Sequence, residues 1–461
     1  MRYVCLCVVL GLVLPVASGC GDDWGPDPAR QPDPRGTMGQ SCASADVCPV
    51  EGGVEWQCKK RFMYGTNWAW REFAADFGGV AAWGKQGVSE ASDAFDAGMR
   101  EMKQAGVNVI RWWMFPAFRT DSIKFGPDDA PTGIGGTLKA DIEKALELAD
   151  RHDLYIMLTL FSFDNFEHSE HSQGIQIRSI KPMVTDASRR RKLLENLVAP
   201  VARAVEGSPF KHRMIAWDMI NEPEWAMKGP NLHGPSSFDP MKGLEPVTHR
   251  QMETFLGEMA DVLHEHSSAL VTIGQAGAKW ARAWINVDVD FHQLHYYDWL
   301  YEWYPYKSKT LEALGLTGKP VVMGEFPAQG LSAIPSRDLP AVPMPQLVED
   351  LYALGYAGTL SWDYGSADFP FKFVKADHRR FTEQNPCEAT FGSLGGDLGD
   401  PRPPAPNKEP APKQPAPGGG SSKTCTDLPP PGDYTCAQQE GWGKCDEPWM
   451  EGKCDKTCGR C

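Results

Sequence analysis

Short apolar runs alternate with amphipathic helical patterns through most of this 461-residue chain. A run with apolar residues on both faces is typical of a buried parallel strand, and helical spacing between such runs is typical of crossover connections. Helices are predicted over 92–105 and 138–152, among others. The eight predicted strands are 62–68, 107–115, 154–161, 214–221, 269–274, 291–297, 320–326 and 358–362. This alternation predicts an α/β fold, a (β/α)₈ TIM barrel.

The composition changes on both sides of the predicted barrel. We expect the barrel to span 56–387, preceded by a tether over 20–55 that is rich in Asp, Pro and Gly. A Pro/Gly-rich linker follows over 388–424, and 425–461 form a small cysteine-rich module. So short a module cannot bury a sufficient apolar core, which predicts that disulfides stabilise it.

Residues 1–19 have the layout of an export signal, with Arg2 followed by an apolar stretch and then small residues before Cys20. This end resembles a bacterial lipobox, in which the cysteine after the cleavage site is acylated. The signal contains Cys5 and Cys7, so its removal leaves eleven of the thirteen cysteines. Acylation of Cys20 would leave an even number that can pair. We therefore expect a lipid-anchored envelope protein, the alternative being ordinary secretion with an unpaired thiol.

The remaining cysteines are candidates for disulfide bonds. The two ends of a closed barrel meet, so we predict a bond between Cys58 and Cys387, which leaves Cys42 to pair with Cys48. Connectivity does not follow from spacing alone, and this pairing stays one of several. The module contributes six further candidates: Cys425, Cys436, Cys445, Cys454, Cys458 and Cys461.

The net charge of −14 argues against a nucleic-acid partner, because phosphate binding needs a basic surface. The histidines lack the spacing of metal ligands, so neither a metal site nor a cofactor is predicted. We expect a monomer that meets the membrane through its lipid anchor alone.

Two glutamates stand where predicted strands end. Glu222 follows the fourth strand and precedes Pro223, and Glu325 closes the seventh. Barrel enzymes place their chemistry at this end of the strands. Two carboxyls facing each other there can cleave a glycosidic bond, one as a protonated acid and the other as an ionised nucleophile. Strand alternation puts Glu222 on the face of Asp218 and directs Asn221 the other way.

Other polar and aromatic residues also stand at predicted strand ends. A single glutamate at a strand end is usually a capping or ion-paired carboxylate. Because several other polar residues stand at neighbouring strand ends, an active site is the better interpretation here. Arg111 ends the second strand, where it could keep Glu325 ionised. The predicted substrate-binding residues are Arg111, Asn221, His295, Tyr297, Trp362, Asn67 and Asn165.

The motifs Asn221-Glu222-Pro223, Gly324-Glu325-Phe326 and His295-x-Tyr297, with Arg111 and Trp362, resemble glycoside hydrolase family 5, in clan A of the retaining enzymes. The resemblance covers 60–365. It implies that Glu222 is the acid/base and Glu325 the nucleophile. It further implies that Asn221 binds the sugar 2-hydroxyl, that Arg111 and Tyr297 contact the nucleophile, that His295 lies near the acid/base, and that Trp362 stacks on the sugar.

Cellulases and mannanases of this family differ at the end of the third strand. Many cellulases carry a histidine there, whereas mannanases more often carry asparagines. The segment that ends this strand, 160–166, contains Asn165 and no histidine, and the sixth strand reads His295-x-Tyr297 as in family mannanases. Both features favour mannan, although Asn165 could equally be a loop-forming residue without sugar contact.

The last eight residues of the module resemble the domain named after sea-anemone potassium-channel toxins. Its aromatic residues Tyr434, Trp442 and Trp449 could dock on a polysaccharide or form the module's own core.

These observations together predict an exported retaining endo-β-1,4-glycanase acting on a polysaccharide, β-mannan or β-glucan. Two alternatives remain at this point: a non-catalytic glycan-binding lipoprotein, and an exo-acting glycosidase or transglycosylase.

Overall fold

The structure, a computed structural model, describes Cys48, Val50, 52–365, 371–391 and Cys436. The chain divides into two units, 1–403 and 404–461. The first unit contains the fold described below. Of the second, the structure describes Cys436, which is buried and disulfide-bonded.

Eight parallel strands form a closed barrel in the first unit, in the order in which they occur along the chain. They are β1 (Met63–Asn67), β2 (Val109–Trp113), β3 (Tyr155–Ser162), β4 (Met214–Asn221), β5 (Leu270–Gln275), β6 (His292–His295), β7 (Val321–Glu325) and β8 (Gly358–Ser361). Strand β8 pairs with β1 and closes the ring. The predicted (β/α)₈ fold is confirmed, and each of the eight predicted strands contains its observed counterpart or differs from it by one residue.

Helices cover the outside of the barrel. They are α1 (Ser92–Gln104), α2 (Leu138–Arg151), α3 (Lys181–Thr185), α4 (Ala187–Leu193), α5 (Ala199–Glu206), α6 (His249–His266), α7 (Asp298–Trp303), α8 (Met344–Ala353) and α9 (Lys375–Gln384). The strand residues are almost all buried because the helices pack on one face and the barrel interior on the other. Between β5 and β6, the described chain forms a single 3₁₀ turn, Ala278–Trp280, instead of an α-helix.

Helix α6, the longest of the described helices, begins at a reciprocal cap. The Thr248 hydroxyl accepts the backbone N–H of Gln251, and the Gln251 side chain accepts the backbone N–H of Thr248. Such a capping box satisfies two N–H groups that the first helical turn leaves unpaired. It sets the start of the helix that follows the Glu222 loop.

One disulfide joins Cys48 to Cys387, with the two Cα atoms 5.8 Å apart. The predicted pairing of Cys58 with Cys387, and of Cys42 with Cys48, is therefore wrong. Phe62 donates its backbone N–H to Glu388, which puts Cys387 beside the start of the barrel. Cys58 stands instead in the turn of the hairpin 54–61, at the far end from that contact, and forms a different disulfide.

Several predictions lie outside the described residues. These are the signal, Cys20, Cys42, the linker from 392 onward, and the module with its aromatic residues and its cysteines other than Cys436. None of the helices in the described part of the chain combines the length and apolar character needed to cross a bilayer.

Candidate active site

The two predicted carboxyls face each other at the C-terminal end of the barrel. Glu222 directly follows β4 and Glu325 is the last residue of β7. His295, the last residue of β6, stands between them: its Nδ1 lies 2.9 Å from Glu222 Oε1 and 3.4 Å from Glu325 Oε2. One carboxylate oxygen of each glutamate and one ring nitrogen of His295 all lie within 4.8 Å of one another. Both carboxyls can therefore reach a single sugar from opposite sides.

The surroundings of Glu222 favour its protonated form. Its Oε2 accepts the indole N–H of Trp225 at 2.8 Å, and its Oε1 contacts His295. Burial raises the pKa of Glu222 to about 7, against the opposing effects of the Trp225 N–H and the Arg111 charge. A carboxyl with such a pKa still carries its proton near neutral pH, as a general acid must.

Glu325 is held by two strong donors. Arg111 Nη1 lies 2.6 Å from its Oε1, and the Tyr297 hydroxyl donates to its Oε2 at 2.7 Å. Burial raises the pKa of Glu325, while the Arg111 charge and the Tyr297 hydroxyl oppose the rise. Hydrogen bonds to both oxygens stabilise the carboxylate form, so of the two carboxyls Glu325 is the one that gives up its proton first.

Arg111 is the centre of a buried polar network. Its guanidinium contacts Asp218 Oδ2 at 2.6 and 2.8 Å, Asn221 Oδ1 at 2.8 Å and Asn67 Oδ1 at 2.9 Å. Gly274 makes room for it, since a Cβ there would stand 2.7 Å from Arg111 Nη2. The ion pair with Asp218 fixes the guanidinium in the orientation in which its remaining N–H meets Glu325.

His295 is fully buried and neutral. Burial lowers the pKa of its imidazole to about 4, although the charge of Glu325 opposes this effect. A neutral imidazole has one N–H to offer, and Nε2 has no partner among the described residues. The Nδ1 contact with Glu222 is thus the hydrogen bond that orients this ring.

Asn221 points into the site, contrary to the prediction from strand alternation. Asp218 pairs with Thr272 and Asn221 with Gly274, so three steps on β4 match two on β5. This bulge turns Asn221 to the same side as Asp218, and both reach Arg111. Glu222 then adopts a left-handed backbone conformation, with φ 48°. A non-glycine residue in this conformation carries backbone strain of the kind found at functional sites.

Two predicted substrate-binding asparagines are buried within the protein. Asn165 caps a short 3₁₀ turn: its Oδ1 accepts the Ser162 N–H and its Nδ2 donates to the Phe115 carbonyl. The structure thus favours the loop-forming alternative for Asn165, and the prediction of a sugar contact there is not supported. Asn67 is also fully buried and joins Arg111 to the Gly324 carbonyl. Both amides hold other groups in place instead of facing the cleft.

Trp362 directly follows β8 and is partly exposed. Its backbone N–H donates to the carbonyl of Phe326, which follows Glu325. Its ring contacts those of Trp113 and Trp70, with centroids 5.8 and 6.4 Å away. This places an accessible aromatic face next to Glu325, where it can stack on a pyranose ring.

Three positioning residues had no predicted role: Asp218, Trp225 as a partner of Glu222, and Glu224. Glu224 is buried and accepts hydrogen bonds from the Ala276 N–H and the Trp284 indole, which ties the loop after β4 to the loop after β5. The sequence carried one signal for Asp218, because a charged residue inside an apolar strand must find a partner.

Two groups of donor atoms among the described residues are close enough for a metal ion. One is Glu222, His295 and Glu325, where the adjacent Arg111 guanidinium opposes a second cation. The other is His233, His249 and Glu253. There, His249 Nδ1 accepts the Leu232 N–H and its Nε2 donates to the Ala283 carbonyl, so both ring nitrogens are already used.

The chain is similar to proteins of known activity over most of its barrel. No protein-family model matches it. It is 24% identical over 331 residues to a mannan endo-1,4-β-mannosidase of Mytilus edulis, covering 65% of this chain and 83% of the relative. It is 23% identical over 349 residues to an enzyme of the same name from Cryptopygus antarcticus, covering 67% and 81%.

Solved structures give the same picture for the fold. The β-1,4-mannanase of Aplysia kurodai superposes with a TM-score of 0.58 at 21% identity, covering 74% of this chain and 98% of that one. The β-mannanase of Mytilus edulis superposes with a TM-score of 0.55 at 20% identity, covering 72% and 94%. The predicted class of enzyme, a glycoside hydrolase, is confirmed by these relatives.

Proposed function

We propose that this chain is a retaining endo-β-1,4-mannanase of glycoside hydrolase family 5, with Glu222 as acid/base and Glu325 as nucleophile. The observation that carries the proposal is the pair of carboxyls on either side of His295, with oxygens within 4.8 Å of each other. Retaining enzymes hold their carboxyls roughly 5 to 5.5 Å apart, whereas inverting enzymes leave roughly 6.5 to 9.5 Å for a water molecule.

The first step follows from the two environments. Glu222 gives its proton to the glycosidic oxygen as the bond to C1 breaks, and Glu325 attacks C1 to form a glycosyl ester. The Arg111 and Tyr297 donors to Glu325 steady its charge and aim the carboxylate before attack. In the second step, the Glu222 carboxylate takes a proton from water. That water attacks C1 and releases Glu325 with the configuration restored.

Mannan is favoured over glucan because both sequence relatives are named for mannan. The His295-x-Tyr297 pair supports the same choice, since the sixth strand of the mannanases that the chain resembles reads the same way. Asn165 gives no support, because its amide is used within its own loop.

The test is hydrolysis of linear β-1,4-mannan, glucomannan, carboxymethylcellulose and xylan, followed by reducing ends and by product size. We expect linear mannan to be cleaved fastest and to yield oligomers early. Release of mannose alone from the start would indicate exo action. Turnover of none of these polymers would contradict the proposal.

Export and lipid anchoring are part of the proposal as well. They rest on the signal-like segment 1–19 and on Cys20, which lie outside the described residues. An extracellular location suits a polymer substrate that cannot enter a cell.

A further inference from the structure

A pocket of about 450 Å³ opens beside Trp362. It extends from the mouth of the barrel outward, between the loops after β1 and β8, until it meets helix α1. Its lining consists of Trp68, Trp70, Arg71, Ala94, Gly98, Trp362, Asp363, Tyr364 and Gly365. The volume falls in the range of sites that hold small molecules.

The outer end of this pocket is bounded by helix α1. Ala94 and Gly98 lie one helical turn apart on the same face and both line the pocket. Gly98 lies against Trp68, since a Cβ there would stand 2.8 Å from the indole ring. Trp68 is itself fixed by stacking on Trp112, with centroids 5.2 Å apart. The pocket is therefore rigid on this side, and helix α1 blocks a polymer chain that enters from the barrel mouth.

The pocket combines aromatic faces with polar groups. The Trp68 indole is 2% exposed and its Cδ1 edge faces Gly365, 4.0 Å from the position of a Cβ there. The adjoining Nε1 forms no hydrogen bond with the described residues and, unlike Nε1 of Trp113, is not shut off from solvent. Arg71 stands at the entrance, 38% exposed, with an ion pair of 3.5 Å to its neighbour Glu72. An indole N–H that is open to a pocket can donate a hydrogen bond to a hydroxylated ligand.

We propose that this pocket binds a single pyranosyl unit that the mannan carries as a branch. The inference rests on the proposed endo-mannanase function, in which the main chain runs through the cleft past Glu325 and Trp362. A chain that continues in both directions cannot end at helix α1, whereas a one-sugar branch can. Such a branch would stack on Trp70 and accept hydrogen bonds from Trp68 Nε1 and Arg71.

The experiment compares kcat/KM on galactomannan, whose branches are single galactosyl units, with kcat/KM on linear mannan. Ala94→Leu fills the pocket, and Arg71→Ala removes a donor at its entrance. We expect the ratio of branched to linear activity to fall about 3- to 10-fold in Arg71→Ala, the range for one lost hydrogen bond. We expect a larger fall in Ala94→Leu. The matched control is Arg100→Ala on the same helix, 47% exposed and paired with Asp96, which should leave the ratio unchanged.

Two outcomes would overturn the proposal. A ratio that stays constant in Ala94→Leu and Arg71→Ala would show that no branch enters the pocket. An equal loss on both polymers would show that the main chain, or its non-reducing end, occupies it. Failure of the wild type on every mannan would instead contradict the proposed function. In that case, titration of the protein with a galactosyl-branched and a linear manno-oligosaccharide, followed by tryptophan fluorescence, still tests the pocket, because binding needs no turnover.

Discussion

The indole N–H of Trp225 donates a hydrogen bond of 2.8 Å to Oε2 of Glu222. This bond stabilises the carboxylate and opposes the rise that burial causes in the Glu222 pKa. Trp225→Phe removes the N–H and keeps most of the ring, so the pKa of Glu222 should rise further above 7. Glu222 must be protonated to act as the acid, and the alkaline limb of the kcat/KM profile on mannan should therefore move to higher pH.

The control for this change is Trp299→Phe, whose ring packs 5.8 Å from that of Trp225. It alters the same aromatic cluster without removing a donor to Glu222, and its alkaline limb should stay in place. An alkaline limb that is unmoved in Trp225→Phe would show that Glu222 is not the group that titrates there.

The two glutamates can be told apart by stereochemistry. With Glu325→Ala, external azide should attack the sugar directly and yield an α-configured glycosyl azide. With Glu222→Ala, an aryl mannoside whose leaving group needs no protonation should still form the covalent intermediate, which azide then traps as the β-product. NMR of the isolated azides makes the distinction. A β-azide from Glu325→Ala would mean that the roles are misassigned.

The loss of activity in Glu222→Ala should also depend on the leaving group of the substrate. Activity of Glu222→Ala on mannan should fall about 10²- to 10⁴-fold, the contribution of a positioned acid, while an activated aryl mannoside should lose much less in the glycosylation step. Pre-steady-state release of the phenol measures that step directly. Equal losses on both substrates would contradict the acid role.

Asp218 should matter for stability as well as for catalysis. It forms a fully buried ion pair with Arg111, and its removal leaves that guanidinium with Glu325 as its one remaining carboxylate partner among the described residues. Asp218→Asn should lower the free energy of unfolding by about 3 to 5 kcal/mol in urea titrations. The exposed pair between Glu349 and Arg380 provides the control, and Glu349→Gln should cost about 1 kcal/mol or less.

Lipid anchoring can be tested with one substitution. If Cys20 is acylated, the full-length protein should partition with membranes, and Cys20→Ser should release it into the soluble fraction. Fractionation followed by immunoblotting measures this. Wild-type protein that is soluble throughout would contradict acylation of Cys20.

The barrel could be predicted from sequence because each strand is a local pattern with clear ends. Strand β4 has the predicted bounds at both ends, and Pro223 explains its stop. Glu222 and Glu325 face each other because the strands form a closed ring, which is a property of the fold and not of either residue. Their contacts with Arg111, His295 and Tyr297 were implied by the resemblance of these motifs to a known family.

Other features depend on contacts that a linear pattern does not contain. The direction of Asn221 was mispredicted because the bulge on β4 depends on its pairing with β5. The amide of Asn165 is captured by Ser162 and Phe115, whose positions follow from the folded loop. The disulfide was mispredicted because Cys42, Cys48 and Cys58 all precede the first barrel strand. The hairpin 54–61 holds Cys58 in its turn, away from Cys387, and this follows from the folded chain and not from spacing.

The Cys48–Cys387 bond turns the whole barrel into a covalent ring. The two sulfurs are 339 residues apart in sequence, and every barrel strand and all the described helices lie between them. A protease that cuts a single surface loop would open that ring without dividing the molecule. The nicked protein would keep its mass on a non-reducing gel and separate into two fragments once a thiol reductant is added. Outside a cell, where proteases are common, an enzyme built in this way can survive a cut that would split an open chain in two.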